Sequence, residues 1–201
     1  MGEPTTIEMM KQLVFATNNV KKTEEVRAIL FPAYEVLNLS DIGCLVDIPE
    51  TGSTFAENAT LKSTYVVNHY QLNCFADDSG LEVSALNNEP GIYSARYSGS
   101  RGDERNLNYL LSKMEGVTDR KARFRTVISL MQNGKNYLFE GVIEGQLTTQ
   151  PMGDMGFGYD PIFQPDGYTQ TFAQMSLEKK NEISHRAIAM QKLIAFLKET
   201  I

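Results

Sequence analysis

The chain is poor in cysteine, holding only Cys44 and Cys74. Two well-separated thiols make neither a disulfide framework nor a zinc site. The simplest expectation is a reducing compartment, the cytoplasm. Neither thiol has an activating neighbour in sequence, so nucleophilic cysteine chemistry is poorly supported. No apolar stretch approaches the ~18 residues that a membrane crossing needs. The N-terminal MGEPTTIEMMKQ lacks a basic segment followed by an apolar one, so no signal peptide is expected. Basic runs are missing too: 19 Lys and Arg stand against 25 Asp and Glu, a net charge of −6. Such a chain is not expected to bind nucleic acid through phosphates or to be drawn to an anionic membrane. There is no G-x-x-x-x-G-K-[ST] phosphate loop, no readable Ser-His-Asp arrangement, no internal repeat and no low-complexity linker.

What remains is ordinary for a globular protein. The 201 residues are 42% apolar and 22% charged, which excludes disorder, collagen and coiled coil and suffices for a sizeable core. Leu13–Ala16 reads as a buried strand, followed by a polar turn and a helix carrying Val26, Ile29 and Leu30 that Phe31-Pro32 stops. Tyr34–Leu39 reads as a second strand and Asp41–Thr51 as loop. Thr54 and Glu57 form a capping-box signature before a helix from Phe55 to about Tyr70. Asn73–Ala76 reads as a strand ending in Asp77-Asp78-Ser79-Gly80, with Leu81–Val83 continuing it beyond a bend. Asn106–Met114 reads as a short helix. Arg123–Met131 and Tyr137–Leu147 flank Asn133-Gly134, the strongest short hairpin signal. A last helix starts near Ser184 and buries Ala187, Met190, Ile194 and Leu197. The fold class is therefore α/β, a mixed sheet flanked by helices.

Five segments offer chemistry, each with a plainer alternative. Thr17-Asn18-Asn19-Val20-Lys21-Lys22 lies at a helix N-terminus, whose free N–H groups suit a phosphate, with Lys22 adding a full charge. It also suits a helix cap with solvated lysines. Glu50, Asn58 and Lys62 form a set able to hold a metal and a triphosphate, with Asn58 and Lys62 on one helix face. Taken locally, an ordinary amphipathic helix with a polar face is the better reading. Asp77-Asp78-Ser79 places two carboxylates side by side, where like charges repel unless a divalent cation such as Mg²⁺ relieves them. One of them could accept a proton from water, or the pair could simply form a turn. The segment Gly153–Pro161 combines close backbone approach with Phe157 and Tyr159, rings able to stack on a base. Its alternative is a glycine-rich loop with aromatic packing. Lys180 and Ser184-His185-Arg186 put cations in a helix's first turn, against the helix dipole, which invites a ligand but is compatible with a surface pair. His69, within a helix, reads as structural.

Jointly, the blocks FATNNVKKTEEV, ETGSTFAENATLK, ADDSGLEV, PGIYSARYSG, GFGYDPIF and EKKNEISHR resemble the inosine/xanthosine triphosphate pyrophosphatase family, in its order and over nearly the whole chain. The resemblance implies a long mixed sheet with flanking helices, two lobes around an active-site cleft, and a homodimer. With the first strand beginning near Leu13, residues 1–12 are expected as a flexible tail, and the resemblance implies residues 13–201 as one two-lobed unit. It implies Mg²⁺-dependent hydrolysis of ITP, dITP and XTP to the monophosphate and pyrophosphate. On this sequence it makes Asp78 the proton acceptor and a metal ligand, with Glu50 and Asp77 as further metal ligands. It makes Thr17, Asn18, Asn19, Val20, Lys21, Lys22, Lys62, Ser79, Phe157, Gly158, Tyr159, Asp160, Lys180, His185 and Arg186 substrate contacts. Many members have Thr-Gly-Asn where this chain has Thr17-Asn18-Asn19, and some have tryptophan at the place of Tyr159. Two other readings are pyrophosphohydrolysis of other modified nucleotides and a nucleotide-binding protein without catalysis.

Overall fold

A computed structural model describes residues 11–199. The expected tail falls outside the described residues up to position 10, and its last two residues belong to the first strand. That strand, β1 (Lys11–Phe15), leads into α1 (Val20–Leu30) and β2 (Tyr34–Leu37). Helix α2 (Phe55–Tyr70) and β3 (Cys74–Val83) follow, then the short β4 (Glu89–Pro90) and α3 (Asp103–Lys113). The hairpin is β5 (Lys121–Gln132) and β6 (Lys135–Leu147), and β7 (Phe163–Pro165), α4 (Leu177–Ile183) and α5 (His185–Glu199) complete the order. Among the described residues no helix is long and apolar enough to cross a membrane.

All seven strands form one sheet, in the order β2-β1-β3-β5-β6-β7, with β4 beside the end of β3. Strand β1 pairs parallel with β2 and β3, and the remaining ladders are antiparallel. The mixed sheet with flanking helices is thus the expected class. The hairpin turns at Asn133 and Gly134, with φ of 53° and 72°, the left-handed geometry that this dipeptide favours.

The main departure concerns β3. Aspartate, serine and glycine are weak strand formers, and the sequence suggests an end at Asp77. Instead the strand runs unbroken through Asp77-Asp78-Ser79-Gly80, paired with β5 from Cys74↔Met131 to Val83↔Ala122. A complete ladder outweighs local propensity. Helix α3 begins three residues ahead of expectation. Helix α4 was not expected, although Ser176 caps it by accepting from the Lys179 N–H at 3.2 Å.

Alternation along the strands feeds cores on both faces. Phe75 and Ile128 pack with Phe15 of β1 and with Met190 and Leu193 of α5. Cys74 and Ala76 pack on the other face with Val66 of α2. Beyond the tetrad, Leu81, Val83 and Phe124 join Leu107 and Leu110 of α3, Ile162, Phe163 and Phe172. The ends of these clusters leave a cleft beside the middle of β3.

Helix α5 lies directly on β6. A Cβ at Gly141 would stand 2.0 Å from the His185 carbonyl oxygen and 2.6 Å from the Ala189 nitrogen. That approach sets how deep the first turn of α5 sits. Gly141→Ala is expected to cost about 2 kcal/mol or more through overpacking, read as a fall in melting temperature of about 4–8 °C. An unchanged melting temperature would show that the helix lifts away freely.

Candidate active site

The cleft has a volume of about 380 Å³, within the range that holds a small ligand. Thr17, Asn18, Asn19, Lys22, Glu50, Lys62, Asp78, Ser79, Phe157, Gly158, Tyr159, Asp160, Lys180, His185 and Arg186 all line it. Three expected residues do not. Val20 is the first residue of α1 and points to solvent, 63% exposed. Lys21 reaches away to donate to the Gly156 carbonyl at 2.9 Å. Asp77 lies behind the cleft wall.

The turn before α1 is a cap. Asn19 Oδ1 accepts the Lys22 N–H and Thr17 Oγ1 accepts the Asn19 N–H, both at 3.1 Å. The cap and a phosphate role are compatible, because it aims the turn and Lys22 into the cleft.

Consecutive residues of a strand face opposite ways, so Asp77 and Asp78 do not form one carboxylate pair. Asp77, expected as a further metal ligand, faces Lys22 and Arg186 instead of sharing a site with Asp78. Their repulsion is answered separately. On the α2 face, Asp78 Oδ2 accepts from Asn58 Nδ2 at 3.0 Å and Oδ1 from the Ser79 N–H at 3.0 Å. Burial raises the Asp78 carboxyl above its ordinary range, and the nearby Glu50 charge adds to this against Lys62. Glu50 is paired with Lys62 and, at 3.6 Å, with Arg96. Burial pushes Glu50 up, but Lys62, together with Lys22 and Arg96, holds the carboxyl low.

On the other face, Asp77 meets Lys22 at 3.1 Å, Arg186 Nε at 3.3 Å and the Ser79 hydroxyl at 2.8 Å. Burial alone would raise its carboxyl, yet Lys22 and Arg186 hold it far below the usual range. Arg186 also binds Glu25, whose other oxygen takes Lys180 Nζ at 2.8 Å. Lys180 meets Asp160 at 2.7 Å, and Asp160 accepts the Phe157 N–H at 2.8 Å. Lys22, Lys180 and Arg186 thus balance Asp77, Glu25 and Asp160 in one chain that is buried except at Lys22, which is half-buried. Glu25 was missed in the sequence. Its signal was a place three residues after Lys22, on the same helical face.

At the far end of the cleft, Phe157 covers Lys180 and Arg186, with its centroid 4.8 and 5.7 Å from the cations. Tyr159 belongs to the core and donates its hydroxyl to the Ser94 carbonyl at 2.9 Å. Of the two expected stacking rings, Phe157 is therefore the less committed. The His185 ring stacks on Phe124 at 4.7 Å, nearly parallel at 9°. Phe124 lines the cleft and was also missed, since an aromatic in a core strand carries no local sign of a site. His185 Nδ1 is buried without a hydrogen-bond partner, an arrangement that points to a ligand. Burial, then Arg186 and Lys180, hold the His185 pKa well below its ordinary value, so the ring is neutral. The apparent breach of the helix-dipole rule then reduces to Arg186, which two carboxylates satisfy. His69 is exposed and bonds the Tyr65 carbonyl at 2.8 Å, in line with a structural role.

The neutral histidine predicts a pH effect. Its folded pKa is depressed, so below about pH 6.5 the unfolded chain takes up a proton that the native site refuses. Stability should fall as pH drops from 6.5 toward 5, by up to about 1.4 kcal/mol per unit. Urea melts of the native protein and His185→Gln across that window check it: the variant should show the flatter dependence.

The chain is similar to known proteins over nearly its whole length. A protein of Flavobacterium psychrophilum described as a dITP/XTP pyrophosphatase is 52% identical over 188 residues, 93% of this chain and 99% of the relative. The solved structure of the Staphylococcus aureus Ham1 protein superposes with a TM-score of 0.86 at 45% identity, covering 95% of this chain and all of that one. A HAM1 protein from Coxiella burnetii superposes with a TM-score of 0.86 at 37% identity, covering 94% of this chain. The Ham1 family model matches residues 13–196, nearly every strand and helix that builds the cleft, and the chain belongs to the Ham1 family.

Proposed function

We propose that this chain hydrolyses non-standard purine nucleoside triphosphates, ITP, dITP and XTP, to the monophosphate and pyrophosphate. The observation that carries this reading is one cleft with a carboxylate and lysine set on one wall, buried cations on the other, and a neutral histidine whose Nδ1 has no hydrogen-bond partner at the aromatic end. Relatives described as dITP/XTP pyrophosphatases support it.

In the reaction, water attacks the α-phosphorus and the α–β anhydride bond breaks. Asp78 takes the water's proton, and pyrophosphate leaves. A carboxyl raised above its ordinary range is suited to accept that proton. Lys22, Lys62 and the N–H groups at the start of α1 offset the phosphate charge. Glu50 and Asp78 offer hard oxygens on the same wall and fit a magnesium ion, which keeps waters and substrate phosphates among its ligands. That donor set is small: among the described residues no three acidic, histidine or cysteine side chains form a metal cage. When bound, magnesium supplies positive charge beside the phosphates.

Base selection rests on the 6-oxo group, an acceptor where adenine has a donor. The Phe157 N–H is taken by Asp160 and the Gly158 N–H by Asp103. The side-chain donors lining this end of the cleft are His185, Arg186 and Lys180. The same reading takes residues 13–201 as one two-lobed unit, working as a homodimer in the cytoplasm without nucleic-acid or membrane partners. The test is pyrophosphate release from ITP, XTP, dITP, GTP and ATP, with and without Mg²⁺. Selective, Mg²⁺-dependent release from the first three supports the reading. Binding of ITP without release, or equal kcat/KM for ITP and ATP, refutes it.

A further inference from the structure

The loop facing the base end is held at three successive residues from three places. Lys21 of α1 donates to the Gly156 carbonyl at 2.9 Å, Asp160 accepts the Phe157 N–H at 2.8 Å, and Asp103 Oδ2 accepts the Gly158 N–H at 2.9 Å. Gly158 has φ of +63° and no side chain for packing to grip. Its position depends on what holds its backbone.

Asp103 is well placed to do this. It is the first residue of α3, it lines the cleft, and it lies 55 residues from Gly158 in sequence. The helix behind it is anchored, because Leu107 and Leu110 are buried in the same cluster as Tyr159 and Ile162. Asn106 fixes the entry to that helix. Its Oδ1 accepts the Ser98 N–H at 2.8 Å and its Nδ2 donates to the Ala95 carbonyl at 2.9 Å. An acceptor on a rigid support therefore holds the most pliable residue of the loop.

We propose that Asp103 is a specificity-positioning residue: by holding the Gly158 N–H it keeps the Phe157–Asp160 loop in register with His185 and Arg186. This rests on the pyrophosphatase reading above. A rigid site rejects a wrong base because its buried donors are left unpaired. A loop free to shift relieves that mismatch. Loosening it therefore helps the wrong base more than the right one.

Two variants of the full chain separate this tether from a general structural role. Asp103→Ala removes the acceptor. Asp103→Asn keeps an acceptor oxygen in place but loses the charge that favours a helix N-terminus. With Asp103→Ala, the ratio of kcat/KM for ITP over ATP should fall about tenfold, the worth of one ordinary hydrogen bond. Amide exchange at Gly158 should quicken by a similar factor. Asp103→Asn should stay near the native protein in both. A ratio unchanged in Asp103→Ala overturns the proposal, as does an equal loss in Asp103→Asn. A native protein that treats ITP and ATP alike overturns the pyrophosphatase reading and the specificity role with it. The exchange rate at Gly158 decides the tether independently, and an unchanged rate in Asp103→Ala refutes it.

Discussion

Asp78→Asn is expected to lower kcat for ITP by about 10³-fold, within the range for loss of a general base, while leaving the protein about as stable as before. Both halves follow from one environment. The Asp78 carboxyl is 7% exposed and bonded to Asn58 and the Ser79 N–H. Asparagine is nearly the same shape but keeps an acceptor for only one of those two donors, which bond different oxygens. It cannot take a proton from water and is a poor ligand for a hard cation. The stability half is a matter of sign. Burial raises this carboxyl in the folded state, so above its unfolded pKa the charge opposes folding. Removing the charge removes that cost and offsets the lost hydrogen bond, so the melting temperature at pH 7 should stay close to native. Such a group is kept for chemistry at the expense of stability. A kcat within tenfold of native would move the proton acceptor elsewhere, and a melting temperature lower by 5 °C or more would contradict the electrostatics.

Arg186→Met should give the opposite pattern, with a large loss of stability accompanying loss of activity. The arginine side chain is 2% exposed and bridges Glu25 and Asp77. Methionine fills much of the same space but leaves three buried carboxylates facing only Lys22 and Lys180. Breaking a buried ion pair from one side costs about 3–5 kcal/mol. For a chain of this size that is a fall in melting temperature of about 6–20 °C. The pH dependence follows from Glu25 and Asp77, whose folded carboxyls lie below their ordinary range. Their contribution is complete above the unfolded value near 4 and fades as pH falls through the lower folded values. The gap between native and variant should therefore be full at pH 7 and narrow below about pH 4. Adding Glu25→Gln should recover part of the loss, because the two sites share one network. Melting within 2 °C of native at pH 7 would show that solvent screens these charges.

Much of this site was legible before the fold. Cap chemistry marked the starts of α1 and α2 through Asn19 and Thr54, and Asn133-Gly134 marked the hairpin. These signals are local: a side chain bonds to a backbone group two to four residues away, so the pattern is written in adjacent letters. Most residues singled out by charge and glycine content do line the cleft. The misreadings came where a distant partner decides. Asp77 and Asp78 read as a paired site at a strand end, because only the ladder with β5 makes β3 continuous and turns them to opposite faces.

The chain by itself determined the kinds of element, their order, and the stock of carboxylates, cations and rings available for chemistry. It also carried the family pattern, since six blocks in sequence need no coordinates to be seen. The tertiary structure alone decided which charge answers which. Glu25 joins Arg186 and Lys180 across more than 150 residues, and Asp103 holds Gly158 across 55. It also decided that Phe124 backs His185, and that His185 is neutral with a buried Nδ1 that has no hydrogen-bond partner. The reason is physical: caps and turns are short-range hydrogen bonds, whereas burial and ion pairing depend on which surfaces meet. Where these surfaces meet is set by the sheet register and by α5 lying on Gly141.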